Sequence, residues 1–291
     1  MMSELHRDPA NCDQSRCSPV RLWRVLLLSA LVSMLGTAAI ADTELAVINS
    51  DGTVWARDLT STSVGLGHKL NGNLFGGPGD QFVYGSANNI SVVTRFPGGN
   101  VWFHQVGEDY ICCGNEAPGS IFGGPDAKYV LYDEGYHIIY VINTKGQVWA
   151  HDFPNLGVGI QLMGPSLFGA PNDKYAVFDH DRILIINTAG QVWAHDLYAS
   201  GGCPPQTLVC PAPDSITGGY LLSGPSLFGG PNDKYVALAG NQLLVINSFG
   251  QVWARTISHN SVTAGHLLPG PGLFGGPGDK YVVVYDLPWI Q

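Results

Sequence analysis

Three histidines in this chain stand two residues after a tryptophan: His104 after Trp102, His151 after Trp149 and His195 after Trp193. At the same offset Trp55 is followed by Arg57 and Trp253 by Arg255. Imidazoles in register invite a zinc centre, since neutral histidine is a common ligand for that ion. They equally invite a recurring pocket. On an extended strand, residues two apart project from the same side. An indole face can then stack on the apolar face of a sugar while a neighbouring polar group reads its hydroxyls. Burial between packed sheets is the competing role for the same pair. On this reading Trp55, Trp149, Trp193, Trp253, His151 and His195 are candidate ligand contacts.

A second polar group recurs in a glycine-rich phrase. The copies are "LFGGPGDQFV" from Leu74, "IFGGPDAKYV" from Ile121, "LFGAPNDKYA" from Leu167, "LFGGPNDKYV" from Leu227 and "LFGGPGDKYV" from Leu273. Paired glycines let backbone approach a partner, proline stiffens the bend, and Asn or Asp can cap the turn. Asp80, Asp173, Asp233 and Asp279 read as turn caps. In a pocket between neighbouring units, Asn172, Asp173, Asn232 and Asp233 would instead hydrogen-bond sugar hydroxyls, with Asp80 and Asp279 at the equivalent places.

Both phrases are fragments of one repeat, and the repeat must position them. The tryptophans Trp55, Trp102, Trp149, Trp193 and Trp253 are 47, 47, 44 and 60 residues apart. The phenylalanines of the second phrase are 47, 46, 60 and 46 apart, so one insertion near Ala199 to Gly218 accounts for both long intervals. A period of 40–50 residues signals a propeller or a solenoid. Within each unit, short runs such as "LLVIN" and "QVWAHDL" are rich in Val, Ile, Leu and aromatics and bounded by turn residues, as strands are. "NTKGQ" (Asn143) and "NTAGQ" (Asn187) read as hairpin turns whose glycine takes positive φ. A weaker fourth strand precedes each "FGG", giving four strands per unit, labelled a to d. The copy from Ser91 is worn, with Phe96, Pro97 and Gln105 where the others carry Asn, Ser/Thr and Asp or Thr.

The ends choose between a ring and an open stack. The repeats open with strands b, c and d and close with a lone strand a, Lys280 to Asp286. An open stack leaves two unpaired edges, an aggregation hazard; a ring lets the last strand complete the first unit. The predicted fold is all-β, a five-bladed β-propeller of four-stranded blades, with Val282–Val284 pairing Ala46–Ile48. Strand c then lies two strand spacings from the innermost strand, about 10 Å at roughly 4.8 Å each. Its histidines cannot converge to zinc–nitrogen bonds of about 2 Å. We expect neither metal nor cofactor.

Before the repeats, Arg21 and Arg24 precede an apolar run from Val25 to Ile40 that ends in Ala39-Ile40-Ala41. Such a pattern describes a secretory signal peptide over 1–41, cleaved after Ala41, leaving a single propeller domain over 42–291. The run is shorter than the roughly 20 residues of a membrane span. The protein is then secreted or periplasmic, with no membrane attachment after cleavage. Residues 1–41 hold four of the 14 Lys/Arg and three of the 23 Asp/Glu, which leaves 10 cations against 20 anions. An acidic surface argues against nucleic acid as a partner. In an oxidising compartment cysteines default to disulfides. Cys203 and Cys210 close the local loop "CPPQTLVC"; Cys112 and Cys113 are then either a strained vicinal pair or two thiols.

A repeat of about 47 residues, a double-glycine blade start and five blades resemble the tachylectin-type five-bladed lectins. The resemblance spans the repeats in period and blade number. It departs in motif, since that family opens its repeats with Gly-Gly-Trp and this chain with Phe-Gly-Gly-Pro. It implies glycan partners, bound at sites repeated around the ring. Two rivals come from the other end of the blades, where "YICCGNE", the Cys203–Cys210 insertion and the acidic tips Asp133-Glu134 and Asp179-His180-Asp181 gather. That variable face suits a protein partner. Asp133, Glu134, Asp179, Asp181 and Asp286 would alternatively supply the paired carboxylates of a glycosidase. One reaction needs different groups in named roles, whereas near-identical repeats suit binding one ligand several times.

Overall fold

The computed structural model describes residues 43–74, 81–85, 89–93, 99–121, 127–132, 138–152, 156–167, 172–178, 181–200, 213–227, 230, 232–238, 241–273 and 279–285. The chain divides into two compact units, 1–39 and 40–291, and the described residues belong to the second. The expected leader and its cleavage site lie outside them, as do Asp80, Cys203 and Cys210.

Among the described residues every regular element is a strand. Sheet one holds β1 (Thr43–Ile48), β2 (Thr53–Leu59) and β3 (His68–Asn73); sheet two holds β4 (Gln81–Gly85), β5 (Asn89–Val93), β6 (Asn100–Val106) and β7 (Ile111–Ser120). Sheet three comprises β8 (Lys128–Tyr132), β9 (Ile138–Ile142), β10 (Val148–Asp152) and β11 (Ile160–Gln161). Sheet four has β12 (Lys174–Phe178), β13 (Arg182–Ile186), β14 (Val192–Tyr198), β15 (Ser215–Ile216) and β16 (Tyr220–Leu221). Sheet five has β17 (Lys234–Leu238), β18 (Gln242–Ile246), β19 (Val252–Thr256) and β20 (His266–Leu268). The last strand, β21 (Lys280–Tyr285), joins sheet one beside β1, Ala46 opposite Val282 and Thr43 opposite Tyr285. Each sheet is an antiparallel meander, and together they make a propeller-like arrangement. The insertion splits the outer strand of sheet four: β15 pairs β14 at Leu197 and Tyr198, β16 at Trp193 and Ala194.

The hairpin between second and third strands recurs in detail. In sheet four, Asn187 Oδ1 accepts the N–H groups of Ala189 and Gln191, and Asn187 Nδ2 donates to Gln191 Oε1 at 2.9 Å. Asn143 and Asn247 repeat the set with Gln147 and Gln251. Gly190 sits at φ 74°, where a Cβ is strained, and that Cβ would also strike the Leu227 carbonyl. The closeness has a purpose. The Leu227 N–H donates to the Gly190 carbonyl at 2.7 Å, so the first residue of the glycine-rich phrase is fastened to the hairpin. The same bond ties Leu74 to Gly52, Ile121 to Gly99, Leu167 to Gly146 and Leu273 to Gly250.

Five apolar clusters fill the gaps between sheets, and each draws on two sheets. One joins sheets one and two through Ala46, Val54, Ile90 and Val106; another joins two and three through Val101, Ile121, Ile139 and Leu156. Ile138, Val148, Ile183 and Leu197 link three to four, and Leu184, Val192, Leu243 and Ile257 link four to five. The remaining cluster packs Leu244, Val252 and Leu273 of sheet five's side against Leu45, Val47 and Leu59 of sheet one. Both faces of these strands are therefore buried, which explains unbroken apolar runs such as Ile138–Ile142 where alternation would mark a one-sided sheet.

At the rim, each outer strand reaches the next sheet. Ser223 N–H donates to the Asn260 carbonyl and Val262 N–H to that of Ser223, at 2.9 and 2.8 Å. Equivalent contacts join Asn71 to Asp109, Met163 to Asp214, and Val64 to Pro269. Backbone crosses so closely there that a Cβ on Gly224 (φ 128°) would strike the Val262 carbonyl.

Candidate functional site

The tryptophans and their partners all face the preceding sheet. On β10, Val148 and Ala150 pack toward sheet four, while Trp149 packs into the cluster shared with sheet two. Trp55, Trp102 and Trp253 likewise fringe the clusters shared with the sheet before them. None is fully buried; Trp193 is the most open, at 37%. The residue paired with each tryptophan on the outer strand is of four types: Lys69 opposite Trp55, Glu116 opposite Trp102, Gln161 opposite Trp149, and a leucine opposite the last two, Leu221 for Trp193 and Leu267 for Trp253. The indole recurs in all five sheets, the rim in only two.

Two residues along, His151 and His195 are buried. The His195 ring lies 3.0 Å from the Thr217 carbonyl through Nδ1, and that of His151 lies 3.3 Å from the Gly157 carbonyl. Arg57 and Arg255 occupy the same niche, donating to the carbonyls of Leu66 and of Thr263 and Ala264. Below each ring is a glycine. A Cβ on Gly114, Gly159 or Gly219 would run into His104, His151 or His195, and one on Gly67 or Gly265 into the arginine stem. Burial holds all three histidines below the ordinary value of 6.5, so they are neutral near pH 7. Asp152 and Asp196, next along their strands, pull the His151 and His195 values up by less than burial lowers them. Adjacent strand residues project from opposite sides, and Asp196 accepts the Tyr220 hydroxyl, at 3.0 Å. Sequence reasoning missed the glycine seat: the glycine stands one residue before β3, β11, β16 and β20, but in sheet two Gly114 lies inside β7, so its position is not constant.

The Asn-Asp pairs divide. Asn172 and Asn232 are exposed at turns just before β12 and β17, while Asp173, Asp233 and Asp279 are buried. Asp233 Oδ2 accepts the Gly230 N–H at 3.1 Å, and Asp279 Oδ1 that of Ser50, at 3.2 Å. Burial raises the Asp233 carboxyl, against the pull of the Gly230 and Ser248 N–H groups. Such carboxylates brace the hairpins. Asn172 and Asn232 precede β12 and β17, the first strands of the sheets that carry Trp193 and Trp253.

Elsewhere, Cys113 Sγ lies 2.7 Å from Cys112 Sγ and no covalent bond joins them; Cys113 has φ 58°. Asp133, Glu134, Asp179 and Asp286 lie outside the described residues, and Asp181 Oδ1 accepts the Arg182 Nε at 3.3 Å. Among the described residues no three His, Cys, Asp or Glu side chains gather as metal ligands.

No protein-family model and no curated protein matches the chain. Solved structures do match, at low similarity. Kluyveromyces lactis Hsv2 aligns with a TM-score of 0.40 and 8% identity over 77% of this chain and 69% of its own. The Niastella koreensis GH74 enzyme gives 0.40 and 12% over 77% of this chain and 30% of its own. Prp20p from Saccharomyces cerevisiae gives 0.34 and 11% over 78% and 61%. The class, a β-propeller, follows from the sheets themselves: four-stranded meanders packed face to face in succession.

Proposed function

We propose that this chain is a closed five-bladed propeller that binds glycans at niches repeated between its sheets, as the tachylectin-type lectins do. Ring closure is supported by the β1–β21 pairing and by the cluster shared between sheets five and one. The observation that carries the glycan reading is the recurring, incompletely buried tryptophan. A purely structural indole at a sheet interface gains most by full burial, yet Trp193 keeps over a third of its surface open. An open aromatic face suits a sugar ring, with Asn172, exposed at the turn before β12 of the same sheet, as the proposed polar contact. Because the rim residue is Lys, Glu, Gln or, in two gaps, Leu, the niches share a stacking platform and differ in affinity. Linked weak sites still gain avidity. The same proposal places the protein outside the cytoplasm, secreted or periplasmic, after cleavage behind Ala41.

A glycan array followed by titration tests it. Binding to one sugar class is expected, with Trp193→Ala and Trp253→Ala each removing a site while the melting temperature stays within a few degrees. Absence of binding to any glycan, or tryptophan variants that bind as the parent does, overturns it. A protein partner is favoured by a different observation: Leu66 and Val158 are 78% and 98% exposed on the opposite face. Removing residues 203–210 should spare sugar binding and abolish capture of such a partner.

A further inference from the structure

The innermost strands begin alike. Lys128, Lys174, Lys234 and Lys280 are the first residues of β8, β12, β17 and β21, each opposite an isoleucine (Ile142, Ile186, Ile246, Ile48) and so at one level. These strands neighbour one another in the order β4, β8, β12, β17, β21 and back to β4. After residue 41 the chain has six lysines, and four of them meet here. Lys69 and Lys145 are the others.

Such a gathering is costly in a chain this acidic. The four are half-buried, and burial pushes Lys174 and Lys234 below the usual lysine value. Neighbouring cations deepen the effect: Lys128 and Lys280 act on Lys174, and Lys280 and Lys174 on Lys234, so the ammonium groups share one field. Carboxylates beside them, Asp173 and Asp233 for Lys174 and Asp279 and Asp233 for Lys234, pull the other way, but by less than burial and the neighbouring ammonium groups. Asp233 and Asp279 also spend an oxygen each on a backbone N–H. Like charges held together in a site of lowered dielectric repel unless an anion sits among them.

We propose that the axial end carrying the recurring turns is an anion site, where Lys128, Lys174, Lys234 and Lys280 together hold one phosphate or sulfate group, free or as an ester on a sugar. Lysine is suited to this as a compact point charge with three donors. The site is separate from the niches between sheets and does not depend on them.

Calorimetric titration of the full chain with inorganic phosphate, inorganic sulfate and a sulfated monosaccharide, at constant ionic strength, tests the assignment. One anion per chain is expected, with the affinity of whichever probe binds falling at least tenfold in Lys174→Gln/Lys234→Gln and unchanged in Lys145→Gln. Binding of the inorganic ions assigns a free anion; binding of the sulfated sugar alone assigns an ester. In anion-free, low-salt buffer the double lysine variant should melt above the parent, because the repulsion is gone. Failure of all three probes to bind, equal binding by the double variant, or stabilisation matched by sodium chloride of the same ionic strength overturns the proposal.

Discussion

The residue two after each tryptophan is where chemistry and packing were hardest to separate. His104, His151 and His195 look like ligands in the sequence, and their fold partner is a glycine that no short motif points to. Their burial has a measurable cost in acid. Each folded imidazole titrates below 6.5, the unfolded value, so the unfolded chain takes up protons that the folded chain refuses. Stability is therefore full above about pH 7 and declines as pH falls through about 6.5. The decline stops only once the folded rings are protonated too. Melting temperature measured from pH 7.5 to 5 should fall, and replacing the three histidines by glutamine should flatten that slope. An equal slope in the triple variant would show that other groups set it.

At the scale of elements, the hairpin is the unit that makes the repeat rigid. Much of it was legible: Asn at its start and Gly at its fourth position predict a tight turn with positive φ, and Gly146 and Gly190 have φ of 75° and 74°. The bond from Leu227 to Gly190 was not legible, because it joins two phrases 37 residues apart, across the insertion. Nor was the division of the Asn-Asp pairs, since burial of Asp233 beside an exposed Asn232 depends on how the link lies over the hairpin. Gly190→Ala strains the backbone by about 1–3 kcal/mol and pushes the Leu227 carbonyl away. At roughly 2–4 °C per kcal/mol for a chain of this size, a fall of several degrees in melting temperature is expected. A change of less than a degree would mean the hairpin yields freely.

For the whole molecule, the period of the phrases predicted an all-β assembly of four-stranded sheets. That β21 pairs β1 was legible, but its register was not: Val282–Val284 lie opposite Ala46–Glu44 and Ile48 opposite Lys280, two residues from the expected pairing with Ala46–Ile48, because apolar runs without alternation do not fix a register. What the repeat hides is how the copies differ. The rim residues Lys69, Glu116, Gln161, Leu221 and Leu267 sit in the weakest strands, where periodicity says least. Removing 280–291 takes away β21 and bares one edge of β1. Such a chain should elute as oligomers in size-exclusion chromatography with light scattering, since an open edge pairs with another chain. A monomer with the parent's melting temperature would count against closure.

Thr43 and Tyr285 stand opposite each other across β1 and β21, at the end of the sheets away from the hairpins. A tether fused before one or after the other would thus leave from the same spot. Immobilised by either end on a sensor surface, the protein would present its asparagine-bearing turns and its lysines outward. The orientation needed to measure both proposed ligands is supplied by the seam itself.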